Sequence, residues 1–298
     1  LRCRYCYAPA KKRHTMSEDV ARQAIDLAIE RGKKTACVSF FGGEPLLYFD
    51  FVRRLCDYAA MQAARSKTQM HYRLSTNGTL FDEEILRFCR SRDILFAVSL
   101  DGNQAAHDAE RRTVDDQGSF ALIDERLDMI LEYCPKTVFT SVITPNNVAH
   151  LYDSVVSMWQ RGIRFMAHQV EFTHPGWDRA AFEILRDNYE KLSRWYLQTT
   201  AKNEYFFMNL FDEKIKTHAQ SPFDLGGVCD FGSKKFSVAP DGRIFPCVRF
   251  VSDAPDAETY CIGHVESGFT PRAKKLQVLN KQPREQCAGC ALIGRCTN

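Results

Sequence analysis

The segment ILFAVSLDG (residues 94–102) shows how this chain is built, because an apolar run of strand length ends directly in a Ser-Leu-Asp-Gly turn. Short runs of apolar, β-branched and aromatic residues bounded by turn residues are typical of buried strands. The same arrangement precedes Gly42-Gly43-Glu44-Pro45, after a strand predicted at 36–41, and Ser75-Thr76-Asn77-Gly78, after one predicted at 69–76. Each of these strands is therefore followed at its carboxyl end by turn residues with polar side chains.

Helices and strands alternate from residue 17 to about residue 210. A helix is predicted from an N-cap at Ser17 to about Arg31, with Gly32 as its stop signal. Further strands are predicted at 94–100, 137–143, 163–170 and 205–209, and further helices at 49–65, 82–91, 119–132, 147–161 and 178–200. Strands separated by such helices pair in parallel with right-handed crossovers.

Six such units favour an incomplete β/α barrel over an open doubly wound sheet, and periodicity alone does not distinguish the two. In both architectures the residues that follow the strands converge on one face, where ligands bind. After about residue 220 glycine and cysteine become more frequent, and Ala239-Pro240-Asp241-Gly242 predicts a hairpin turn. We therefore expect an α/β domain over 1–215 and a small cysteine-rich domain over 220–298.

Composition excludes several classes of protein. The hydrophobic content of 45% and charged content of 26% are those of an ordinary soluble globular chain. No apolar run approaches the roughly 18 residues of a membrane span. The net charge of +3 is small and the basic residues are scattered, which argues against a nucleic-acid partner. We expect a cytoplasmic protein.

Twelve cysteines are the strongest chemical signal, and most of them fall into three groups. The groups are Cys3-x2-Cys6, then Cys229 with Cys247, and finally Cys287-x2-Cys290-x5-Cys296. Clustered cysteines without an export signal indicate metal binding or redox chemistry rather than a disulfide scaffold. A single C-x2-C pair suits zinc or a redox pair equally. The lone residues Cys37, Cys56, Cys89 and Cys134 are predicted to be buried small hydrophobes.

The front group resembles a known motif. Leu1-Arg2-Cys3-Arg4-Tyr5-Cys6-Tyr7 resembles the end of the CxxxCxxC motif of radical S-adenosylmethionine enzymes, whose first cysteine would lie two residues before Leu1. The resemblance implies that Cys3 and Cys6 ligate a [4Fe–4S] cluster and that its open iron chelates S-adenosylmethionine. One electron from the cluster would then yield a 5′-deoxyadenosyl radical.

Two motifs after the strands resemble the same family. Gly42-Gly43-Glu44-Pro45 resembles its GGEP motif, which implies that Gly43 and Glu44 meet the ammonium group of the cofactor; a tight turn with a capping glutamate is the alternative reading. Ser99-Leu100-Asp101-Gly102 with His107-Asp108-x2-Arg111 resembles its SLDG…HDxxR run, which implies a cofactor site formed by Ser99, Asp101 and Arg111. Ser99 and Arg111 would bind the carboxylate of the cofactor, which a guanidinium fork suits.

Three more cofactor contacts follow from the resemblance. Ser75 and Asn77 lie where the family contacts the sugar and methionyl parts, and Tyr5 matches the aromatic residue beside the adenine. No residue is assigned a catalytic role in the modification of the substrate.

The back cysteines resemble the SPASM domain. Its pattern is matched by Cys229-x12-Gly242-x4-Cys247 followed by Cys287-x2-Cys290-x5-Cys296. The resemblance implies that Cys229 and Cys247 ligate one auxiliary [4Fe–4S] cluster and that the last three cysteines ligate another, with further ligands expected beyond Asn298. Cys261 is either a spare thiol or an additional ligand, and a structural zinc site is the alternative reading.

Together these resemblances imply a partial (β/α)6 radical S-adenosylmethionine barrel followed by a SPASM domain with a β-hairpin, in an enzyme that modifies peptides.

In anaerobic sulfatase-maturating enzymes an aspartate base follows the second cysteine of the Gx4C segment, whereas this chain has Val248, which cannot accept a proton. Those enzymes also carry an extra cysteine where this chain has Phe223.

We therefore favour a maturase of ribosomally made precursor peptides that forms a thioether or carbon–carbon crosslink and receives electrons from a flavodoxin or ferredoxin. The alternatives are a sulfatase-maturating, formylglycine-generating enzyme and a non-catalytic iron–sulfur protein that binds peptides.

Overall fold

The computed structural model describes residues 1–6, 14–219, 232, 234–252, 255–280 and 285–290. Two predicted cluster ligands, Cys229 and Cys296, lie outside the described residues. For Cys287 the backbone is described and the side chain is not.

Six strands form the larger sheet, in the order in which they occur along the chain. They are β1 Thr35–Phe40, β2 Gln69–Thr76, β3 Ile94–Ser99, β4 Val138–Ile143, β5 Phe165–Val170 and β6 Phe207–Met208. The pairings from β2 to β6 are parallel. The sheet is the parallel α/β sheet that the alternation predicted, and the predicted strands agree with it to within a few residues.

The first of the described helices precedes these strands, and the others follow later in the chain. They are α1 Glu18–Gly32, α2 Phe49–Ser66, α3 Glu83–Ser91, α4 Gln104–Glu110, α5 Phe120–Tyr133, α6 Leu151–Gln160, α7 Arg179–Ala201, α8 Asn209–Ala219 and α9 Pro271–Asn280. Sequence patterns did not predict α4, α8 or α9. Helix α4 has only seven residues, and α9 has little amphipathic character, so neither gives a strong periodic signal.

Alternation along the strands separates a core face from a polar face. Leu74, Phe96 and Phe139 are almost fully buried, whereas Ser75 and Ser99 alternate with the core residues and are only half-buried. Residues two apart on a strand share a face, and Ser75 pairs with Ala97, so Ser75 and Ser99 lie on the same side of the sheet. The strand ends therefore bring both predicted cofactor residues to one face.

Backbone contacts divide the chain into two compact units. One contains Leu1–Cys6, Ser39–Phe49 and Tyr72–Glu213. The other contains Tyr7–Val38, Asp50–His71 and Lys214–Asn298, as far as these ranges are described. The domain boundary expected near 215–220 stays a prediction.

The second unit contains a small antiparallel sheet in the order β10-β9-β8-β7. Its strands are β7 Ser237–Val238, β8 Arg243–Phe245, β9 Gly263–His264 and β10 Gly268–Phe269. The predicted hairpin turn is confirmed, because Gly242 N–H donates to the Ala239 carbonyl at 3.0 Å and β7 pairs with β8. Ile244 and Ile262 form the centre of its core, and Val20, Ala24 and Leu27 of α1 pack against them.

The lone cysteines differ from one another. Cys56 and Cys89 are fully buried, as predicted. The prediction is wrong for Cys37, which is exposed, and Cys134 is only half-buried. On β1 the buried position belongs to the neighbouring Ala36, so alternation turns Cys37 toward solvent.

Candidate cofactor site

The loop that carries the front cysteines is held by the last residue of α4 and the segment that follows it. Arg2 N–H donates to the Arg112 carbonyl at 2.7 Å, and Arg4 N–H donates to the Glu110 carbonyl at 2.9 Å. Cys3 lies between these two hydrogen bonds. Cys6 N–H donates back to the Cys3 carbonyl at 3.2 Å, which closes the turn between the two half-buried cysteines.

Arg111 and Asp101 form a buried, two-pronged ion pair beside this loop. Arg111 Nε is 2.9 Å from Asp101 Oδ2, and Arg111 Nη2 is 3.1 Å from Asp101 Oδ1. The side chains are 8% and 0% exposed, so Arg111 is not a surface charge. Burial alone disfavours the charged guanidinium, but Asp101, together with Tyr5 and Cys3, outweighs burial and raises the pKa of Arg111. The arginine is therefore a fixed positive charge.

Tyr5 completes this cluster. Its hydroxyl donates to Asp101 Oδ2 at 2.9 Å, and its ring lies 5.2 Å from the Arg111 guanidinium carbon. Burial raises the pKa of Tyr5 well above its ordinary value, so the hydroxyl stays a neutral donor. Asp101 also accepts the Val142 N–H at 3.0 Å, which gives its carboxylate four protein donors. Direct contact of Asp101 with the cofactor stays a prediction; the observed contacts make it an anchor for Arg111 and Tyr5.

The remaining end of the guanidinium faces the front loop. Arg111 Nη1 lies 3.9 Å from Cys3 Sγ, a distance at which sulfur accepts a hydrogen bond. A nearby positive charge favours the thiolate form of cysteine, which is the form that ligates metal. The predicted ligand Cys3 and the predicted cofactor residue Arg111 are thus brought together.

Glu44 has the capping role that was the alternative reading of its motif, and a second role as well. One oxygen, Oε1, accepts the Leu46 N–H at 3.1 Å, which caps a short 3-10 turn over Pro45–Tyr48. The same oxygen accepts the Thr76 hydroxyl at 2.6 Å, and Oε2 accepts the Asn77 N–H at 2.8 Å. Glu44 therefore joins the ends of β1 and β2, and its contact with an ammonium group stays a prediction.

The glycines of this motif face open space. A Cβ built on Gly42 or Gly43 meets no atom of the described residues within 4 Å, and neither has a positive φ. Neither packing against the described residues nor a positive φ therefore requires glycine there, and the contact of a ligand with the backbone stays a prediction.

The hydroxyls of Ser75 and Ser99 have no hydrogen-bond partner among the described residues, although both side chains are partly accessible. Asn77 differs, because its Oδ1 accepts the Thr79 N–H at 2.9 Å and the Thr79 hydroxyl at 2.7 Å. Its amide nitrogen remains for the predicted contact.

Sequence reasoning missed the contribution of the histidine motif to this site. Asp101 N–H donates to His107 Nδ1 at 3.4 Å, and His107 Nε2 lies 3.0 Å from Ser119 Oγ. Asp108 accepts the Phe120 N–H at 2.8 Å and so holds the start of α5. The spacing His-Asp-x2-Arg could have indicated that His107 and Asp108 support Arg111. Nothing in the sequence indicated a role for Ser119.

The described back cysteines lie in the second unit. Cys247 is half-buried at the start of a 3-10 turn, and Val248 follows it. Cys261 is half-buried and its thiol donates to the Gly263 carbonyl at 3.3 Å. Cys287 ends a short 3-10 turn, and Cys290 is exposed. Within the described ranges no three His, Cys, Asp or Glu side chains converge as a metal site, so both ligand sets stay predictions.

The parallel sheet, with a cysteine loop and polar residues at its strand ends, defines a radical S-adenosylmethionine type of fold and site. The model of the Radical SAM superfamily matches residues 1–155, just over half of the chain, and the chain belongs to that superfamily. It is therefore an enzyme that uses S-adenosylmethionine and a [4Fe–4S] cluster.

Individual relatives and solved structures are similar to most of the chain. A cysteine-type anaerobic sulfatase-maturating enzyme of Clostridium novyi (strain NT) is 23% identical over 290 residues, covering 89% of this chain and 73% of the relative. The structure of native anSMEcpe with bound AdoMet and Kp18Cys peptide matches 99% of this chain and 84% of that chain, with a TM-score of 0.82 and 19% identity. Streptococcus suis SuiB bound to precursor peptide SuiA matches 99% of this chain and 68% of that chain, with a TM-score of 0.65 and 16% identity. These matches establish the partial barrel with its SPASM domain as the fold.

The residues of the front site fit the cofactors of the superfamily. Cys3 and Cys6 are half-buried on one turn, and the positively charged guanidinium of Arg111 lies beside Cys3 Sγ. Gly42 and Gly43 are exposed and face open space, so a ligand can approach the backbone there. In the part of the chain that the structure describes, none of the helices has the length and apolarity to cross a membrane.

Proposed function

We propose that this enzyme modifies a peptide or protein substrate by radical chemistry at the site formed by Cys3, Cys6 and Arg111. The observation that carries the proposal is the placement of the Arg111 guanidinium, which is anchored on Asp101 and directed at Cys3 Sγ. When bound, S-adenosylmethionine and its cluster supply a radical that abstracts hydrogen. The chain's own residues hold the ligands in place and provide the fixed charge.

Each predicted residue has a defined task in this proposal. Cys3 and Cys6 hold the cluster, and Tyr5 provides an aromatic face beside the adenine of the cofactor. Gly43 and Glu44 contact the ammonium group of S-adenosylmethionine, while Ser99 and Arg111 contact its carboxylate. Ser75 and Asn77 offer hydroxyl and amide groups to the rest of the cofactor, on the face that Ser75 shares with Ser99.

We further propose that the product is a thioether or carbon–carbon crosslink in a precursor peptide. Val248 supports this reading, since it stands directly after Cys247 where a sulfatase-maturating enzyme has a carboxylate base, and an aliphatic side chain cannot take up a proton. The similarity of the fold to SuiB, which was solved bound to precursor peptide SuiA, supports a substrate of this kind.

Formylglycine formation in a sulfatase is the second candidate. It is favoured by the relative from Clostridium novyi, which covers 89% of this chain. The two products differ chemically, because formylglycine is an aldehyde and a crosslink is not. An aldehyde-reactive probe and mass spectrometry of the treated peptide therefore distinguish them.

The auxiliary clusters belong to the same proposal. Cys229 and Cys247 hold one, and Cys287, Cys290 and Cys296 hold the other, in a domain over 220–298 that follows the barrel over 1–215. These clusters accept the electron left after substrate oxidation, and a flavodoxin or ferredoxin supplies the electron that starts the reaction. The iron count should then be about 12 per chain for three cubanes and about 4 for the front cluster alone.

The direct test is anaerobic reconstitution with iron, sulfide and S-adenosylmethionine, followed by reduction with dithionite and measurement of 5′-deoxyadenosine. The proposal predicts cofactor cleavage by the protein with an intact front cluster. Absence of 5′-deoxyadenosine from such protein would instead support the non-catalytic, peptide-binding reading.

Two cysteine variants separate the roles of the clusters. Cys3→Ala should abolish 5′-deoxyadenosine formation, because the front cluster loses a thiolate ligand. Cys287→Ala should retain cofactor cleavage and lose the modified peptide. Cys37→Ala, at an exposed cysteine outside the three cysteine groups, is the matched control and should change neither. Equal loss of cofactor cleavage in the Cys3 and Cys287 variants would contradict this division.

A further inference from the structure

Hydrogen bonds form a closed ring around the Arg111–Asp101 ion pair. Asp101 N–H donates to His107 Nδ1 at 3.4 Å, His107 Nε2 is 3.0 Å from Ser119 Oγ, and Ser119 Oγ donates to the Arg111 carbonyl at 2.8 Å. The side chains of Arg111 and Asp101 then close the ring. All four residues are at most 6% exposed.

The direction of each hydrogen bond follows from the donors. The Asp101 backbone N–H can only donate, so His107 Nδ1 accepts and the ring proton resides on Nε2. Nε2–H donates to Ser119 Oγ, whose own proton goes to the Arg111 carbonyl. Burial, with a smaller contribution from Arg111, lowers the pKa of His107 to about 3, so the imidazole is neutral. Each member of the ring is thus satisfied in one arrangement.

Ser119 is diverted from its ordinary local role. It occupies the N-cap position of α5, where a serine side chain usually accepts a backbone N–H of the first turn, but it makes no such bond. Asp108 instead accepts the Phe120 N–H at 2.8 Å. Since the capping position does not use the hydroxyl, its contact with the Arg111 carbonyl is the interaction that the serine provides.

The ring acts on the segment that supports the front cysteine. The carbonyl of residue 112 accepts the Arg2 N–H and that of residue 110 accepts the Arg4 N–H, on either side of Cys3. Arg111 directs Nη1 at the thiol between them. A shift of the Arg111 backbone would move both the support of Cys3 and the charge beside it.

We propose that His107 and Ser119 are positioning residues that hold Arg111 against Cys3 and thereby tune the front cluster. This inference rests on the proposed function, in which Cys3 is a cluster ligand. Partners of metal ligands set both metal affinity and redox potential, and a hydrogen bond to a ligand sulfur is one of the recognised determinants of cluster potential.

The test compares two buried serines in the reconstituted protein. Ser119→Ala removes one ring member, and Ser141→Ala is the matched control, because Ser141 is 3% exposed and its hydroxyl has no partner among the described residues. The readouts are the midpoint potential and electron paramagnetic resonance spectrum of the front cluster, and the retention of its iron against a chelator. The auxiliary cysteines Cys247, Cys287 and Cys290 are replaced by alanine in both proteins, so that the front cluster is observed alone.

We expect Ser119→Ala to shift the midpoint potential to a more negative value and to weaken iron retention about tenfold, as loss of an outer-shell partner does in metal sites. Ser141→Ala should match the parent. Ser119→Cys keeps a weak donor of similar size and should lie between the two; it replaces the alanine variant if that does not fold. Parental potential, spectrum and iron retention in the Ser119 variant would overturn the inference, whereas absence of 5′-deoxyadenosine from the wild type would overturn the proposed function instead.

Discussion

At the residue scale, glycine serves two different purposes in the motifs after the strands. Gly102 has a φ of +137°, and a Cβ at this position would lie 2.2 Å from Ser154 Cβ and Oγ. Both its conformation and its packing against α6 require glycine. Gly43 has no positive φ and faces open space, so the fold does not require glycine there, and its contact with a ligand stays a prediction.

This difference gives opposite expectations for two alanine variants. Gly102→Ala should lower the free energy of unfolding by about 1–3 kcal/mol through strain and a steric clash. Gly43→Ala should leave unfolding unchanged and weaken S-adenosylmethionine binding about tenfold, or about 1.4 kcal/mol. Thermal unfolding and equilibrium dialysis measure the two effects. A Gly43 variant that unfolds at a lower temperature and binds S-adenosylmethionine normally would show that Gly43 serves the fold and not the ligand.

At the element scale, side-chain caps explain where the helices begin. Ser17, Asp82, Asn103 and Asp178 each accept a backbone N–H from the first turn of the helix that follows. Helix α3 is a clear case, since Asp82 Oδ1 accepts the Ile85 N–H at 2.8 Å and Glu83 and Glu84 add negative charge to the first turn. In α3, α4 and α7 the cap places the start of the helix after the loop that follows a strand.

The cap of α3 is expected to contribute measurably to stability. Asp82→Ala should reduce the free energy of unfolding by about 1 kcal/mol, because the Ile85 N–H loses its acceptor. Asp82→Asn retains a capping oxygen and is the matched control. Urea unfolding of the two variants checks the difference, and equal stability of alanine and asparagine variants would show that the cap contributes nothing.

At the scale of the whole molecule, each unit has an arrangement that local sequence does not suggest. In the second unit, α1 packs with the small sheet near the other end of the chain, through Val20, Ala24 and Leu27 against Ile244 and Ile262. In the first unit, His168 lies opposite Ser141 in the β4–β5 pairing. His168 is buried, and neither ring nitrogen has a partner among the described residues.

We expect the buried His168 to make the free energy of unfolding sensitive to acid. Burial lowers the pKa of His168 to about 4, from 6.5 for the ordinary residue. Between these values the unfolded chain binds more protons than the folded chain, so stability falls as pH drops below 6.5. From pH 7.5 to 5.5 the loss should be about 1 kcal/mol.

His168→Leu should remove this part of the pH dependence. His71→Asn, at an exposed histidine, should leave it unchanged. Denaturant unfolding of the wild type and both variants at the two pH values measures the effect, under the same anaerobic conditions and at equal iron content. An unchanged pH dependence in His168→Leu would contradict the assignment.

The sequence by itself determined the parallel α/β order, the ends of most helices and strands, and the C-terminal hairpin turn. It also predicted the motifs whose residues we propose to bind the cofactor. These properties are local, because they follow from the spacing of apolar residues, from caps and from turn residues within short windows. Short or weakly amphipathic elements such as α4 and α9 gave too little local signal to be predicted.

Only the tertiary structure decided which predicted residues meet and what each one holds. Arg111 lies 108 residues from Cys3, and Asp101 lies 96 residues from Tyr5, yet each pair is in contact. Asp101 was expected to contact the cofactor, and its carboxylate binds Arg111 and Tyr5. Ser119, which no sequence pattern indicated, binds the Arg111 carbonyl, and Cys37 is exposed rather than buried. Such outcomes depend on which faces pack together and on which donors reach a buried acceptor, and no short window of the chain contains that information.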